Sequence, residues 1–92
     1  MLSQVMIIGR LGKVVDEIYR ELFVENSLFD DEEVGKTKVE RYLVTYWSRN
    51  SKAPFYKVKE DYLVAIKGRL TIEDDKGVVI VAEAIDYLDD LM

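Results

Sequence analysis

The sequence predicts a small, mainly β protein: a five-stranded barrel with one short helix between the third and fourth strands. Three observations carry this prediction. The chain has 92 residues, which is enough for one core and a single domain spanning residues 1–92. Five apolar segments are separated by turns rich in glycine or acidic residues. After the third segment, a proline is followed by apolar residues at helical spacing, which predicts one short helix there.

The first two strands flank a bend that contains glycine. Val5–Gly9 is a short apolar run ended by glycine, which favours a buried strand. Ile18–Ser27 is predicted as the second strand, although Val15, Ile18 and Leu22 also have helical spacing. Asp30–Gly35 carries four consecutive like charges and then glycine, which predicts an exposed loop.

The third strand, Val39–Trp47, has the clearest pattern. Successive side chains of a strand point to opposite faces. One face is therefore assigned to the core and the other to the surface: Tyr42, Val44 and Tyr46 inward, and Arg41, Leu43, Thr45 and Trp47 outward. Ser48–Asp61 is predicted to hold the short helix, with Ser51 as N-cap and Pro54 in its first turn.

The last two strands form a hairpin. Tyr62–Ile72 is predicted as the fourth strand, with Gly68 at a bulge or bend. Asp74–Gly77 is the predicted turn, and Val78–Ile85 the fifth strand. Four residues of the fourth strand are expected to face inward: Val64, Ile66, Leu70 and Ile72. The predicted core comprises Tyr42, Tyr46, Phe23, Val64, Ile66 and Ile80.

This order of elements is that of an OB-fold barrel. A five-stranded SH3-like barrel is the alternative, but it lacks a helix inserted between the third and fourth strands and fits less well. The first and fifth strands are apolar on both faces, which in so small a barrel predicts that one face packs against another subunit.

Composition removes most enzyme classes. The chain contains no cysteine and no histidine, which excludes disulfides, Cys/His zinc sites, thiol nucleophiles and triads that use an imidazole base. Carboxylates such as Glu73, Asp74 and Asp75 are interpreted as a solvated turn rather than a magnesium site. No catalytic residue, cofactor or metal is expected. Without an apolar run of about 20 residues or a leader segment, the sequence predicts a cytoplasmic protein that makes no membrane contact.

The net charge of −5 conceals a basic middle third. Residues 1–35 have net charge −5, residues 36–69 net charge +6, and residues 70–92 net charge −6. The average alone argues against nucleic acid as a partner, whereas the middle third alone is compatible with it.

Three segments resemble bacterial and phage single-stranded DNA-binding proteins. Met6–Lys13 is an apolar strand followed by Gly9, Arg10, Leu11 and Gly12, similar to the opening of that family. Val44–Arg49 and Leu63–Leu70 look like its aromatic–basic step and its apolar strand ending in Gly-Arg-Leu. The hairpin at Asp75–Gly77 also occupies the family's position, so the resemblance spans roughly residues 4–88.

The resemblance implies an OB-fold that binds single-stranded DNA in replication, recombination or repair, without catalysis and as a homo-oligomer, a dimer or tetramer. It places Trp47 at a base-stacking position, Arg49 at a basic position, Arg41 where many members have an aromatic, and Phe29 in the loop between strands two and three. Replication or recombination proteins are open as further partners. The hairpin departs from the family, because its acidic residues should repel phosphate, and the chain ends at Asp89–Met92 without the family's long tail. The small size and missing tail favour a phage or other mobile element.

Binding chemistry adds further candidates. Sequence-independent strand binding needs cations for phosphates and aromatic faces for bases. Lys36, Lys38, Thr45, Lys67 and Arg69 are therefore expected to extend the path beside Trp47, Arg49 and Arg41. The alternative function is an OB-fold module for protein–protein interaction or replisome adaptation with little or no DNA binding, which the net charge and the acidic hairpin favour.

Overall fold

The computed structural model describes residues 4–27 and 37–91, and its strands close into a barrel. The strands are β1 (Gln4–Val15), β2 (Tyr19–Ser27), β3 (Thr37–Tyr46), β4 (Leu63–Glu73) and β5 (Gly77–Tyr87). Neighbouring strands follow the order β1-β2-β3-β5-β4, with β3 and β5 parallel and all other pairs antiparallel. This topology confirms the predicted fold class, a five-stranded OB-fold barrel.

Strand β1 closes the barrel because it pairs with two neighbours in succession. Its first half, Gln4–Arg10, pairs with β4, and its second half, from Arg10 onward, pairs with β2. The bend between the halves brings backbones close together. A Cβ at Gly9 would lie 2.6 Å from the carbonyl oxygen of Phe23, so only glycine fits there.

Gly68 lies at a β-bulge, as predicted. Lys67 faces Ala84 across the β4–β5 pair while Gly68 faces Ala82, so Glu83 is the extra residue in β5. A Cβ at Gly68 would lie 1.9 Å from the carbonyl oxygen of Val81, which no side chain tolerates. The glycine therefore allows β5 to cross close to β4 at the bulge.

The core confirms part of the predicted list. Val64, Ile66 and Ile80 are buried. Tyr42 and Tyr46 are half-buried and pack against the core, whereas Phe23 is half-buried outside that cluster. The buried apolar residues of the cluster are Leu11, Leu22, Val44, Ala53, Phe55, Tyr56, Val64, Ile66, Ile80 and Ala82.

One end of the barrel is capped by a 3-10 turn, Pro54–Tyr56, where a short helix is predicted; a second such turn, Leu88–Leu91, follows β5. The predicted Ser51 cap is wrong: the first turn begins after Ala53 and has no side-chain cap. The Tyr56 hydroxyl donates to the carbonyl of Ile18 at 2.6 Å, which fixes the turn against the barrel. The helix cannot continue because the chain returns to β1, where Asp61 N donates to the Leu11 carbonyl at 2.7 Å.

Arg20 is buried beneath this cap, although no sequence pattern predicts a cation inside the barrel. Arg20 lies two residues before buried Leu22 on β2, so both side chains point to the same face of the strand. The guanidinium donates to the carbonyls of Gly12 (2.9 Å) and Phe55 (2.8 Å). Burial lowers the pKa of Arg20 from its ordinary value. Arg20 therefore joins β1, β2 and the cap at the cost of desolvating its charge.

The β4–β5 hairpin extends beyond the barrel, and this corrects a prediction. Pairing of the described part of β1 with β4 reaches only to Gln4 opposite Arg69, so this part of β1 does not cover the β4 residues that follow. Leu70 and Ile72, predicted to face inward, are exposed, Ile72 at 78%. Val78, which pairs with Ile72, is exposed as well.

Candidate nucleic-acid interface

Trp47 stands at the end of β3 with its ring open to solvent. Its backbone N–H donates to the carbonyl of Ala82 at 3.0 Å, which anchors the residue to β5. The indole is 61% exposed, and its ring centroid lies 5.8 Å from that of Tyr46 at an angle of 48°. A fixed backbone and a free ring are the properties that a base-stacking side chain needs.

Thr45 is on the same strand face by parity but is not available for contact. It is fully buried, and its hydroxyl donates to the carbonyl of Ile18 at 2.7 Å. The turn between β1 and β2 covers this part of β3, and Val79 and Val81 of β5 are buried beside it. Thr45, predicted as a nucleic-acid contact, therefore lies beneath another segment instead of on the surface, because alternation alone does not show which part of a face another segment covers.

Arg49 follows Trp47 in a tight turn and is already paired with a carboxylate. Its φ of 53° is left-handed, and its N–H donates to the carbonyl of Tyr46 at 2.8 Å. Its guanidinium lies 2.7 Å from Oε1 of Glu73 at the base of the hairpin. The same oxygen accepts the hydroxyl of Tyr19 at 2.7 Å.

The pKa values of Glu73, Arg49 and Tyr19 are shifted by these contacts. Arg49, followed by the Tyr19 hydroxyl, lowers the pKa of Glu73 from its ordinary value. Glu73 in turn raises the pKa of Arg49 and of Tyr19. All three groups are therefore held in one protonation state near neutral pH: a carboxylate, a guanidinium and a neutral phenol.

Arg41 is paired in the same way. Its guanidinium lies 2.6 Å from Oε2 of Glu21 on β2, while Oε1 of Glu21 accepts the N–H of Lys13 at 2.9 Å. Arg41, and then the Lys13 N–H, lowers the pKa of Glu21. The six residues from Arg41 to Trp47 span about 20 Å, so the two side chains are well separated along β3, with Arg41 near its middle.

Lys67 and Arg69 lie on β4, one strand beyond β5 from the end of β3. Tyr46 faces Ala82 on β5, and Lys67 faces Ala84 on the other side of β5. Lys67 and Arg69 therefore lie two strand spacings, about 10 Å, from the strand that leads to Trp47. Arg69 forms a long ion pair of 3.9 Å with Glu83, and both side chains are about half exposed.

Among the remaining candidates the structure describes Lys38, which lies at the other end of β3 from Trp47. Lys38 is exposed near the start of that strand. Lys38 and Lys67 form no ion pair with another residue of the described ranges 4–27 and 37–91. Phe29 and Lys36 lie outside the described residues.

The three arginines of the middle third are thus paired with acidic residues from other segments. Arg41, Arg49 and Arg69 each face a glutamate from β2, β4 or β5. The sequence places these carboxylates 14 to 24 residues from their arginine partners, so the blocks of charge are separate along the chain. The usable cationic surface is therefore smaller than the net +6 of residues 36–69 indicates.

The structure also exposes an apolar surface that the candidate residues do not include. Met6 (73% exposed) and Ile8 project from the outer side of β1, and Met6 faces Lys67 of β4. Next to Ile8, a groove of about 500 Å³ is lined by side chains including Phe23, Val39 and Leu63. We call Met6, Ile8 and the neighbouring Lys67 the outer face of β1.

Within the part of the chain that the structure describes, no helix is long and apolar enough to cross a membrane. Among the same residues, no three acidic side chains cluster closely enough to hold a metal ion.

No protein-family model matches the chain, and no curated protein matches it either, but solved structures do. A small single-stranded DNA-binding protein from Streptomyces coelicolor matches with a TM-score of 0.63 and 14% identity over 91% of each chain. A mitochondrial single-stranded DNA-binding protein of S. cerevisiae matches with a TM-score of 0.61 and 20% identity over 96% of each chain. The second single-stranded DNA-binding protein of Mycobacterium smegmatis matches with a TM-score of 0.61 and 10% identity, covering 100% of this chain and 94% of its own. At these identities, the likeness establishes that the chain has the fold of these proteins.

Proposed function

We propose that the protein binds single-stranded DNA without sequence preference and has no catalytic activity. The observation that carries the proposal is the exposed indole of Trp47, anchored at the end of β3 on a barrel shared almost end to end with single-stranded DNA-binding proteins. An aromatic ring in this setting stacks on any base, and each such stack contributes about 1–3 kcal/mol. The proposed contacts are Trp47, Arg41 on the far side of the covered Thr45, and Arg69 on β4, across β5 from the end of β3.

Replication, recombination or repair is the process we propose, because single-stranded DNA is the common substrate of all three. In that role the protein would act beside replication or recombination proteins in the cytoplasm. The outer face of β1 supports a homo-oligomer, since exposed Met6 and Ile8 are the kind of apolar side chains that subunit contacts cover. A dimer built on this face would place two Trp47 side chains on one particle and extend the length of DNA bound.

One observation favours a second function. Arg41, Arg49 and Arg69 are each paired with a glutamate, which leaves these three guanidinium groups less free to contact phosphates. The second function is that of an OB-fold module for protein–protein interaction or replisome adaptation, with little or no DNA binding. Retention of a replication protein by the purified chain, together with absent strand binding, would select this second function.

Fluorescence tests the first function directly, because Trp47 is the only tryptophan in the chain. Addition of oligo(dT) at low salt should quench its emission, and added salt should restore it as counterions replace the protein at the phosphates. A duplex of the same length is the control and should quench less. Unchanged emission at micromolar concentrations of protein and oligo(dT) would refute strand binding at Trp47.

A further inference from the structure

The hairpin base holds a carboxylate against the cation nearest to Trp47. Glu73 is the last residue of β4, and Arg49 lies two residues after Trp47. Their 2.7 Å contact has the length of a charge-assisted hydrogen bond, the same kind of bond that a guanidinium makes with a phosphate oxygen.

Further contacts keep this carboxylate in place. The hydroxyl of Tyr19 donates to the same oxygen, Oε1, at 2.7 Å. In the turn of the hairpin, Lys76 pairs with Asp16 in the turn between β1 and β2, and its ammonium group lies 5.5 Å from the centroid of the Tyr19 ring. The hairpin is therefore held at two points, by Lys76 to the β1–β2 turn and by Glu73 to the start of β2.

From this geometry we propose that Glu73 is a built-in competitor for nucleic-acid phosphate at Arg49, so that strand binding requires the Glu73 carboxylate to give up its contact with that guanidinium. This inference rests on the proposed binding of single-stranded DNA. It makes Glu73 a residue that sets affinity, and it adds an autoinhibitory contact to the Trp47 site.

A specific dependence on salt follows. When a phosphate replaces Glu73 at Arg49, the phosphate releases its condensed cation, but the freed Glu73 carboxylate takes up a cation from solution, so the net release of cations at this contact is close to zero. Arg49 then contributes little to the salt dependence of wild-type binding. Without the carboxylate, Arg49 behaves as a free cation, and each such contact adds about 0.7 to the slope of log K against log salt for single strands.

The test compares Glu73→Gln with Asp74→Asn, because both remove one negative charge from adjacent positions in the hairpin. Asp74 is exposed and forms no ion pair with another described residue. Binding of labelled oligo(dT) is measured by anisotropy across a salt series. Glu73→Gln should bind about two- to fivefold more tightly at low salt, as expected for release of a partly exposed ion pair, and its salt slope should steepen by about 0.7. Asp74→Asn should tighten binding less and leave the slope nearly unchanged.

Two further variants separate the contact from charge in general. Tyr19→Phe removes one hydrogen bond to Glu73 without changing charge, and it should tighten binding in the same direction by a smaller factor. In an Arg49→Gln background, Glu73→Gln should have no more effect than Asp74→Asn, because the competing contact no longer exists.

The outcomes distinguish this inference from the proposed function. If the wild type binds oligo(dT) and Glu73→Gln matches Asp74→Asn in affinity and slope, the inference fails and the function stands. If Glu73→Gln weakens binding, the ion pair braces the turn for binding instead of opposing it, and the inference is again overturned. If neither the wild type nor Glu73→Gln binds oligo(dT), the proposed function itself fails. If Glu73→Gln binds and the wild type does not, Glu73 blocks binding completely, which supports the inference.

Discussion

The turn that carries Trp47 and the outer face of β1 both expose an apolar side chain, but they differ in whether their charged groups are paired within the chain. At the turn, Arg49 is paired with Glu73, and the carboxylate is secured further by Tyr19. On the outer face of β1, Met6 and Ile8 are exposed, and neighbouring Lys67 has no ion-pair partner among residues 4–27 and 37–91. The charged groups of the first region are paired within the chain, whereas the second region presents surface that another molecule would cover. The difference indicates that nucleic acid must compete for the first region, while a second subunit can dock on the other without displacing anything.

Gly68 adjoins both regions, because it faces Val5 of β1 and Ala82, whose carbonyl accepts the Trp47 N–H, so changing this residue should have the largest effect. Gly68→Ala places a Cβ against the carbonyl of Val81 and should lower the free energy of unfolding by about 2–4 kcal/mol. Urea denaturation measures this. Gly77→Ala is the control: its site is open but has a left-handed φ of 75°, so the cost should be about 1 kcal/mol. Equal losses of unfolding free energy in the two variants would show that the Val81 carbonyl does not exclude a side chain at Gly68.

A charge on the outer face of β1 should separate subunits and leave the barrel folded. Met6→Glu is expected to reduce the mass in solution to that of one chain of 10.7 kDa, because desolvating its carboxylate in an apolar contact costs more than pairing with the opposite Lys67 returns. Light scattering measures the mass. Ile72→Glu, on the exposed hairpin, is the matched control and should leave the mass unchanged. Loss of assembly in the Ile72 variant alone would place the subunit contact on the hairpin.

Removal of the indole should affect binding and not folding. Trp47→Ala is expected to weaken oligo(dT) binding by about 1–3 kcal/mol, the value of one base stack, with little change in the urea midpoint because the ring is exposed. Anisotropy of a labelled strand supplies the measurement, since the variant has no tryptophan to observe. Undiminished affinity would move the binding path away from the end of β3.

Acid should remove a small contribution to fold stability that comes from the two ion-paired glutamates, Glu73 and Glu21. The pKa values of Glu73 and Glu21 are lowered by Arg49 and Arg41, so each pair stabilises the fold above the ordinary carboxyl value of 4.5, and this contribution disappears as pH falls below it. Glu21→Gln and Glu73→Gln should each reduce the loss of stability between pH 7 and pH 3 seen by thermal unfolding. An unchanged loss in both variants would mean that the ion pairs do not contribute to acid sensitivity.

The sequence predicts the local features of this fold better than its long-range ones. The bulge at Gly68 is predictable because a glycine inside an apolar strand usually marks a bulge or a close backbone approach, and the turn before Gly77 has a direct signature. Burial of Thr45 depends on a turn 27 residues away in sequence, and exposure of Ile72 depends on how much of β4 the described part of β1 covers. The ion pair of Arg49 with Glu73 joins segments that the charge profile places in different blocks. These features arise only when the barrel closes, so no local pattern encodes them.

Photo-crosslinking most directly tests whether single strands lie across the Trp47 turn. Oligo(dT) with 5-iodouracil substitutions is irradiated with the wild-type protein at low salt, and the adducts are mapped by mass spectrometry. The structure predicts a major adduct on the peptide containing Trp47, suppressed by added salt and by excess unlabelled strand. Adducts confined to other peptides, or none above the level of a duplex control, would contradict the central claim.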